Sequence, residues 1–350
     1  MISVTVCSDK TRWNQYAASN TTAKHSHLYE WAESLASAYN LQIYRLAAHK
    51  TKTHTLTGIL PLILFEPQNK EKRLISLPYT DAAGILADNV GTSHELLLAA
   101  ISLAETLQVN TLEFRQDESA GHILSDNPII DSWSHTPYRF KTGLRRPLPD
   151  TAEILWSDLS AKVRNQIRKA WKCGCTANTG NDDLAIAFYS VFSENMRDLG
   201  SPVHDFNLFR NILANHSLKS AVIVVNLHNK PVAGAIVFLH NETLHNPWAS
   251  SLRSYRPSCP NMLLYWSMME YAIDHGCKWF DFGRSTPQAP TCRFKMQWGA
   301  EMKPLTWHVY SRTPDKWDPR NESLVIDAWK SMTLTDSVKD GPALRRNISL

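Results

Sequence analysis

Ala221-Val-Ile-Val-Val-Asn-Leu227, His228-Asn-Lys-Pro231 and Val232-Ala-Gly-Ala-Ile-Val-Phe-Leu239 read as two buried strands joined by a turn, since each apolar run is short and bounded by turn-forming residues. Leu244 to Ser251 supplies a third strand. A helix follows from Asn261, the expected N-cap, with Met262, Tyr265, Trp266, Met269 and Ile273 at helical spacing and Gly276 at its C-terminal end. Lys278-Trp-Phe-Asp-Phe-Gly-Arg284 closes the unit as another strand. Three strands, a helix and a strand make a mixed α/β unit.

The same order stands in the first part of the chain. Leu41-Gln-Ile-Tyr-Arg-Leu46 alternates like a strand, Lys50 to Thr55 is a polar turn, and Leu56 to Phe65 is a buried strand whose Pro61 suits an edge or a bulge. Arg73-Leu-Ile-Ser-Leu-Pro78 is a further strand. Ser93 offers an N-cap for a helix through Leu96, Leu97, Ala100, Leu103, Ala104 and Leu107, and Thr111-Leu-Glu-Phe-Arg115 follows as a strand. Glu113 to Arg115 thus occupies the place of Asp281 to Arg284, which reads as an internal duplication. Leu144-Arg-Arg-Pro-Leu-Pro-Asp150 has the composition of a linker. The expected division is a first domain over 1–145, a second over 146–312, and a helical tail over 313–350. In that tail Asn321 to Trp329 is helical, Gly341-Pro-Ala-Leu-Arg-Arg trails off, and the whole docks on the second domain.

With 43% hydrophobic and 20% charged residues in 350, the chain buries a core and is not disordered. A net charge of +4 is too small for a protein that wraps DNA, so the placement of bases matters more than their sum. The strongest apolar stretch, Thr57 to Phe65, is far shorter than the roughly 20 residues of a membrane-spanning helix. Met1-Ile-Ser-Val-Thr-Val carries no basic and apolar leader, and the expected location is the cytoplasm or the inner face of the cytoplasmic membrane. The six cysteines are too sparse for a disulfide framework. Cys173-Gly-Cys175 is either a weak soft-metal pair or two small residues closing a helix, and no metal is expected.

The densest local feature is a basic helix over 158–173, Asp158-Leu-Ser-Ala-Lys-Val-Arg-Asn-Gln-Ile-Arg-Lys-Ala-Trp-Lys-Cys173. Leu159, Val163, Ile167 and Ala170 form its buried stripe, and Arg164, Arg168 and Lys172 form one flank. That flank is either a solvated face or a grip on phosphate, for which guanidinium forks are suited. The helix that ends at Gly200 crowds Asn195, Arg197 and Asp198 into its last turn. Arg197 complements the helix dipole there, and Asp198, unfavourable on the same argument, calls for a specific partner. His204 follows as a loop histidine, a base or a surface residue. Asp281, Arg284, Arg293 and Lys295 gather at a strand end and the next loop, where α/β units hold ligands. An Asp281–Arg284 ion pair is the competing account for those two. Gly283 and Gly299 allow close backbone approach. No P-loop, GxGxxG, HExxH or GxSxG motif occurs, which removes support for nucleotide hydrolysis, dinucleotide redox chemistry, zinc proteolysis and serine-esterase chemistry.

Lys162-Val-Arg-Asn-Gln-Ile-Arg-Lys-Ala170, Asn195-Met-Arg-Asp-Leu-Gly-Ser-Pro-Val203, Pro260-Asn-Met-Leu-Leu-Tyr-Trp266, Phe280-Asp-Phe-Gly-Arg-Ser285 and Arg293-Phe-Lys-Met-Gln-Trp-Gly-Ala300 resemble the FemAB-related proteins, in particular the branch associated with PEP-CTERM and exosortase systems. Ser76-Leu-Pro-Tyr79 and Leu112-Glu-Phe-Arg115 extend the resemblance to the first half. It implies an α/β (α+β) fold of two tandem GNAT-like domains, each a mixed sheet flanked by helices. It also implies acyl or aminoacyl transfer to an amine, with acyl-CoA or aminoacyl-tRNA as co-substrate and no tightly bound cofactor. The acceptor implied is a phosphorylated small molecule or a lipid-linked precursor of the peptidoglycan, exopolysaccharide or wider cell envelope. Charged tRNA is a partner on the same footing, and DNA is not.

The lysine of the Phe-Lys motif is associated with catalysis in that family, and here it is Lys295, which would stabilise the oxyanion formed as the amine attacks. Asp198, His204 or Asp281 would take the amine proton, unless the substrate's own carboxylate or phosphate does so. Arg164 and Arg168 would hold phosphate, with Asn195, Arg197, Tyr265, Arg284 and Arg293 as further substrate contacts. Trp248 either walls the cleft or belongs to the core. GNAT domains that use acetyl-CoA carry a glycine-rich turn before the helix; here that turn is Arg253-Ser-Tyr-Arg-Pro-Ser-Cys-Pro-Asn261, with two arginines and no glycine. The rival reading is a non-catalytic module whose basic helix binds RNA or a phosphorylated, lipid-diphosphate ligand.

Overall fold

A computed structural model of the chain describes residues 1–68, 70–117, 132–312, 317–322 and 327–350. They form two compact units. The first comprises Met1–Thr142, Lys303–Ser323 and Arg346–Leu350; the second comprises Gly143–Met302 and Leu324–Arg345. The last strand and the segment 346–350 therefore group with the first unit, whereas the sequence division had run on without a return.

In unit one, β1 (Ile2–Val6), α1 (Lys10–Ser19), α2 (Tyr29–Tyr39), β2 (Gln42–Lys50), β3 (Leu56–Phe65), β4 (Arg73–Ile75), β5 (Leu86–Ala87), α3 (Val90–Thr106) and β6 (Thr111–Asp117) follow one another, and the division falls within β7 (Ser134–Pro147). β1, β2, β3 and β4 pair antiparallel in turn, and β4 runs parallel to β6. β6 pairs antiparallel with β13 (Glu301–Ser311), whose partner residues begin at Leu305. Leu60, Leu62, Leu64, Leu74 and Phe114 from the sheet close on Leu96, Leu97 and Ala100 of α3. Pro61 lies inside β3, opposite Arg45 of β2. On the other side β5 pairs only with Gly58 and Ile59, and β4 only from Ile63 onward, so the proline sits in the gap between them where no amide is required. The N-cap of α3 is Asn89, whose side chain accepts from Thr92 N–H at 2.9 Å, and Ser93 is buried in the first turn instead.

In unit two, α4 (Ala152–Asp158), α5 (Ala161–Lys172), β8 (Cys175–Gly180), α6 (Ala185–Leu199), α7 (Phe206–Leu213), β9 (Ser220–Leu227), β10 (Lys230–His240), β11 (Thr243–Ser251), α8 (Pro260–Asp274), β12 (Trp279–Ser285), α9 (Pro290–Met296) and α10 (Leu334–Arg345) appear in that order. β8, β9, β10 and β11 pair antiparallel, and β12 joins β11 in parallel. Ile223, Val225, Ala233, Ala235, Val237, Phe280 and Phe282 face α8 and α5. The opposite face carries α6 and α7: Phe188, Phe192 and Phe209 meet one another, Phe209 meets Trp248, and a β-carbon at Gly234 would stand 3.5 Å from the Phe188 Cα. Strand–strand–strand–helix–strand recurs in both units, and each is a mixed sheet flanked by helices.

Three local expectations change. The basic segment is two helices, because Leu159 is extended and ends α4 while Ser160 caps α5 through Val163 N–H at 3.3 Å. α8 begins at Pro260 with Cys259 at its cap, so the proline at the first helical position, and not Asn261, sets its start. The segment after Gly341 is helical to Arg345: Ser337, Gly341 and Arg345 are buried at four-residue spacing, and packing of that face holds the helix despite Pro342.

Candidate functional site

The parallel ladder between β11 and β12 is short. Its pairs are Thr243/Trp279, Leu244/Phe280 and His245/Asp281, while β11 runs on to Ser251 and β12 to Ser285. Beyond the last pair the two strands no longer pair with each other. Asn246 is the first residue past it. It is 4% exposed, and neither its Nδ2 nor its Oδ1 has a hydrogen-bond partner of good geometry among the described residues. Such a buried amide is costly unless something else meets it. Beside it stands Tyr265 of α8, its ring stacked on Phe282 at 5.7 Å and edge-on to Phe294 at 5.0 Å. Burial pushes the Tyr265 hydroxyl up to about 12, against a small opposing pull from Asn246. The buried Ser285 Oγ at the end of β12 also has no partner among the described residues.

Gly283 organises the β12 side. Its φ of +70° is a conformation that favours glycine, and it turns one peptide toward two charged groups. Gly283 N–H donates to Asp281 Oδ1 at 2.8 Å, and Lys295 Nζ donates to the carbonyls of Gly283 and Arg284 at 3.3 and 2.8 Å. Lys295 comes from α9, whose proline at its first position fixes the helix start. Because Phe280 and Phe282 point to α8, Asp281 points to the α6 face, where its Oδ2 lies 3.3 Å from His245 Nδ1. A carboxylate against Nδ1 orients the ring and favours the tautomer with the proton on Nδ1. The end of the ladder thus carries the Lys295 ammonium at β12, a carboxylate–imidazole pair on the α6 face and the Asn246 amide on the other.

The remaining sequence candidates have other surroundings. His204 is corrected as a base: it is buried, its Nε2 accepts from Arg345 Nε at 3.2 Å, and burial together with the Arg345 charge holds it well below the ordinary histidine range. Asp198 finds its partner in the preceding residue, Arg197, at 2.7 Å. Asn195 reaches across from α6 to Ser250 Oγ on β11 at 3.1 Å. Trp248 is in the core, edge-on to Phe209 and His204. Arg164 donates to the Trp156 and Ser157 carbonyls at 3.4 Å each and so closes the C-terminal end of α4. Arg168 is exposed, 5.2 Å over the Trp156 ring. Their helix packs on α8, on the face of the sheet away from Asp281. Arg293 is exposed and donates to the Gln288 carbonyl at 2.6 Å, and Arg284 meets Lys295 through its carbonyl. His245 and Asn246 escaped the sequence reading. Their signal was two polar residues between Leu244 and Trp248 in a strand otherwise buried.

The turn before α8 is a short 3-10 helix, Arg253–Ser258, and Cys259 supplies the left-handed residue at φ +57° where a glycine would stand. Cys173 closes α5, followed by Gly174 at φ +86°. Among the described residues, no group of three or more His, Cys, Asp or Glu is arranged to hold a metal ion, and no helix is long and apolar enough to cross a membrane.

Residues 157–296 match the family described as acetyltransferase (GNAT) domain. No curated protein matches the chain by sequence. Among solved structures, FemX superposes with a TM-score of 0.70 at 14% identity, over 87% of this chain and 96% of FemX. L-PGS from Bacillus licheniformis gives 0.55 at 8% identity, over 87% and 92%. The tandem GNAT protein from the clavulanic acid biosynthesis pathway, solved without acetyl-CoA, gives 0.54 at 12%, over 90% and 100%. This chain therefore carries a GNAT-type acetyltransferase domain over residues 157–296 within a fold like that of FemX, two tandem GNAT-like units.

Proposed function

We propose that this protein is an N-acyltransferase that receives an acyl-CoA thioester where the β11/β12 ladder ends and passes the acyl group to an amine on a cell-envelope or exopolysaccharide precursor. The observation that carries the reading is the end of the parallel ladder at His245/Asp281, with the buried Asn246 amide lacking a partner of good geometry among the described residues and Lys295 held at the far strand. An extended acyl donor lying along β11 would meet that amide and the strand's own backbone groups. The amine nitrogen attacks the thioester carbonyl, the C–N bond forms, and negative charge gathers on the carbonyl oxygen beside the Lys295 ammonium. His245 Nε2 takes the amine proton, with Asp281 steadying the imidazolium. The C–S bond then breaks, and the proton passes to the departing thiolate. In this reading Asp281 acts through His245 and not as the base itself. FemX and L-PGS as neighbours agree with transfer of an amino acid in place of a simple acyl group, so charged tRNA is the competing donor.

The test is a thermal-shift series with coenzyme A, acetyl-CoA, charged tRNA and nucleotide-sugar ligands, followed by mass spectrometry of amine acceptors. A ligand at a hundred times its dissociation constant stabilises by about 2.7 kcal/mol, which is readily measured. The reading expects a shift with acyl-CoA and a product heavier by the acyl group. Stabilisation by charged tRNA alone would replace the donor. No covalent product from either donor at saturation would sink the transferase reading.

A further inference from the structure

Unit one also has a parallel ladder that stops short, and there the chain itself fills the place beyond it. β4 and β6 pair at Leu74/Leu112 and Ile75/Glu113, Ser76 N–H reaches the Glu113 carbonyl at 2.8 Å, and the strands then part. Residues 346–350 enter the space. The Ser349 carbonyl accepts from Tyr79 N–H at 2.6 Å and from Arg115 Nη1 at 3.1 Å. Its Oγ accepts from Arg115 Nη2 at 3.1 Å and donates to Glu322 Oε2 at 2.6 Å, and Ser349 N–H donates to the same oxygen at 3.0 Å. Ser349 is 0% exposed, with Ile348 and Leu350 buried on either side of it.

This seat is more elaborate than anchoring a strand of chain requires. Four charged side chains are buried around one peptide unit: Arg115 pairs with Glu113 at 2.7 Å and lies 4.0 Å over Trp307, while Arg73 pairs with Glu322 at 3.3 Å and lies 3.4 Å over Trp317. Apolar residues of the same volume would hold a tail as firmly, so the charges serve recognition of a backbone amide and a hydroxyl. Leu77 and Tyr79 both hold φ at +62°, a strained setting for residues with side chains, and the second presents its N–H to Ser349. Arg73 Nε and Nη1 are buried without a partner among the described residues. We propose that this opening is a binding site for an extended peptide with a hydroxyl residue between apolar neighbours, and that residues 346–350 are its resident occupant, exchangeable for a peptide of the same chemistry supplied in trans. The proposal is independent of the acyl-transfer reading of unit two.

The probe is a fluorescein-labelled peptide with the sequence of residues 345–350, and a second peptide in which the serine is replaced (Ser349→Ala). Anisotropy is measured with the full chain and with a chain ending at Arg345. The shortened chain is expected to bind the serine peptide, the full chain to bind it at least tenfold more weakly, and the alanine peptide to lose tenfold or more through its missing hydroxyl. A folded shortened chain that ignores the peptide, or binds both peptides alike, overturns the proposal. Should the shortened chain fail to fold, amide exchange at Tyr79 in the full chain decides: exchange through a local opening supports an exchangeable occupant, and exchange only through global unfolding overturns it.

Discussion

Asp281 and His245 face each other across the last rung of the β11/β12 ladder, Oδ2 to Nδ1 at 3.3 Å, so the strands part at a carboxylate–imidazole pair. If the two act as one proton-accepting unit, Asp281→Asn and His245→Gln each lower kcat by about 10²–10⁴, and the double variant is hardly worse than either single one. Steady-state acyl transfer with melting temperature as a control checks this; strictly multiplicative losses would separate the two residues.

Lys295→Met is expected to lower kcat by about 10²–10³ through loss of an oxyanion donor. Its Nζ also serves the Gly283 and Arg284 carbonyls, so the variant should lose about 1–2 kcal/mol of stability as well. Denaturant melts alongside single-turnover rates distinguish the two effects. Full activity would remove Lys295 from the chemistry.

Three buried histidines set an acid limit. Burial pushes His27 down to about 4, and burial with the nearby His135 and Arg139 pushes His308 down to about 3; His204 is held well below its ordinary range. The unfolded chain binds these protons near pH 6.5 and the folded chain does not. Stability is therefore fully present above about 6.5 and is lost as pH falls toward the folded values, by about 1.4 kcal/mol per pH unit for each histidine. Urea midpoints from pH 7 to 4.5 should show the fall, and His308→Gln should make it shallower.

A methyl group at Gly58 of β3 would stand 2.7 Å from Thr92 Cγ2 and 2.9 Å from Leu96 Cδ1, both on α3. Gly58→Ala should cost about 1–3 kcal/mol by overpacking. An unchanged melting temperature would mean that α3 yields freely.

Strands and helices with a clear period were legible from sequence: β9, β10, α8 and β12 each announce themselves by apolar runs or by spacing. Even Pro61 was readable as an interruption, although only the paired strands reveal that the gap between β4 and β5 receives it. The chemistry was less legible. Arg164 and Arg168 make an obvious basic row, yet one closes α4 and the other lies on Trp156, partners that spacing along α5 cannot disclose. His245 and Asn246 are single polar residues in a buried strand, and their meaning comes from where β12 leaves β11, a relation between segments some 35 residues apart. His204 looked like a loop base because nothing local shows Arg345 arriving from α10.

That arrival depends on a missing side chain. At Gly341 a β-carbon would come within 2.8 Å of Val203 Cγ1 and 3.0 Å of its backbone nitrogen, and Arg345 lies one helical turn further along the same buried face. A single added carbon there would act as a wedge, prising the guanidinium away and removing the lesser of the two causes that hold the imidazole down, while its burial stays. The smallest residue in the helix thus sets how near a positive charge comes to a ring it never touches.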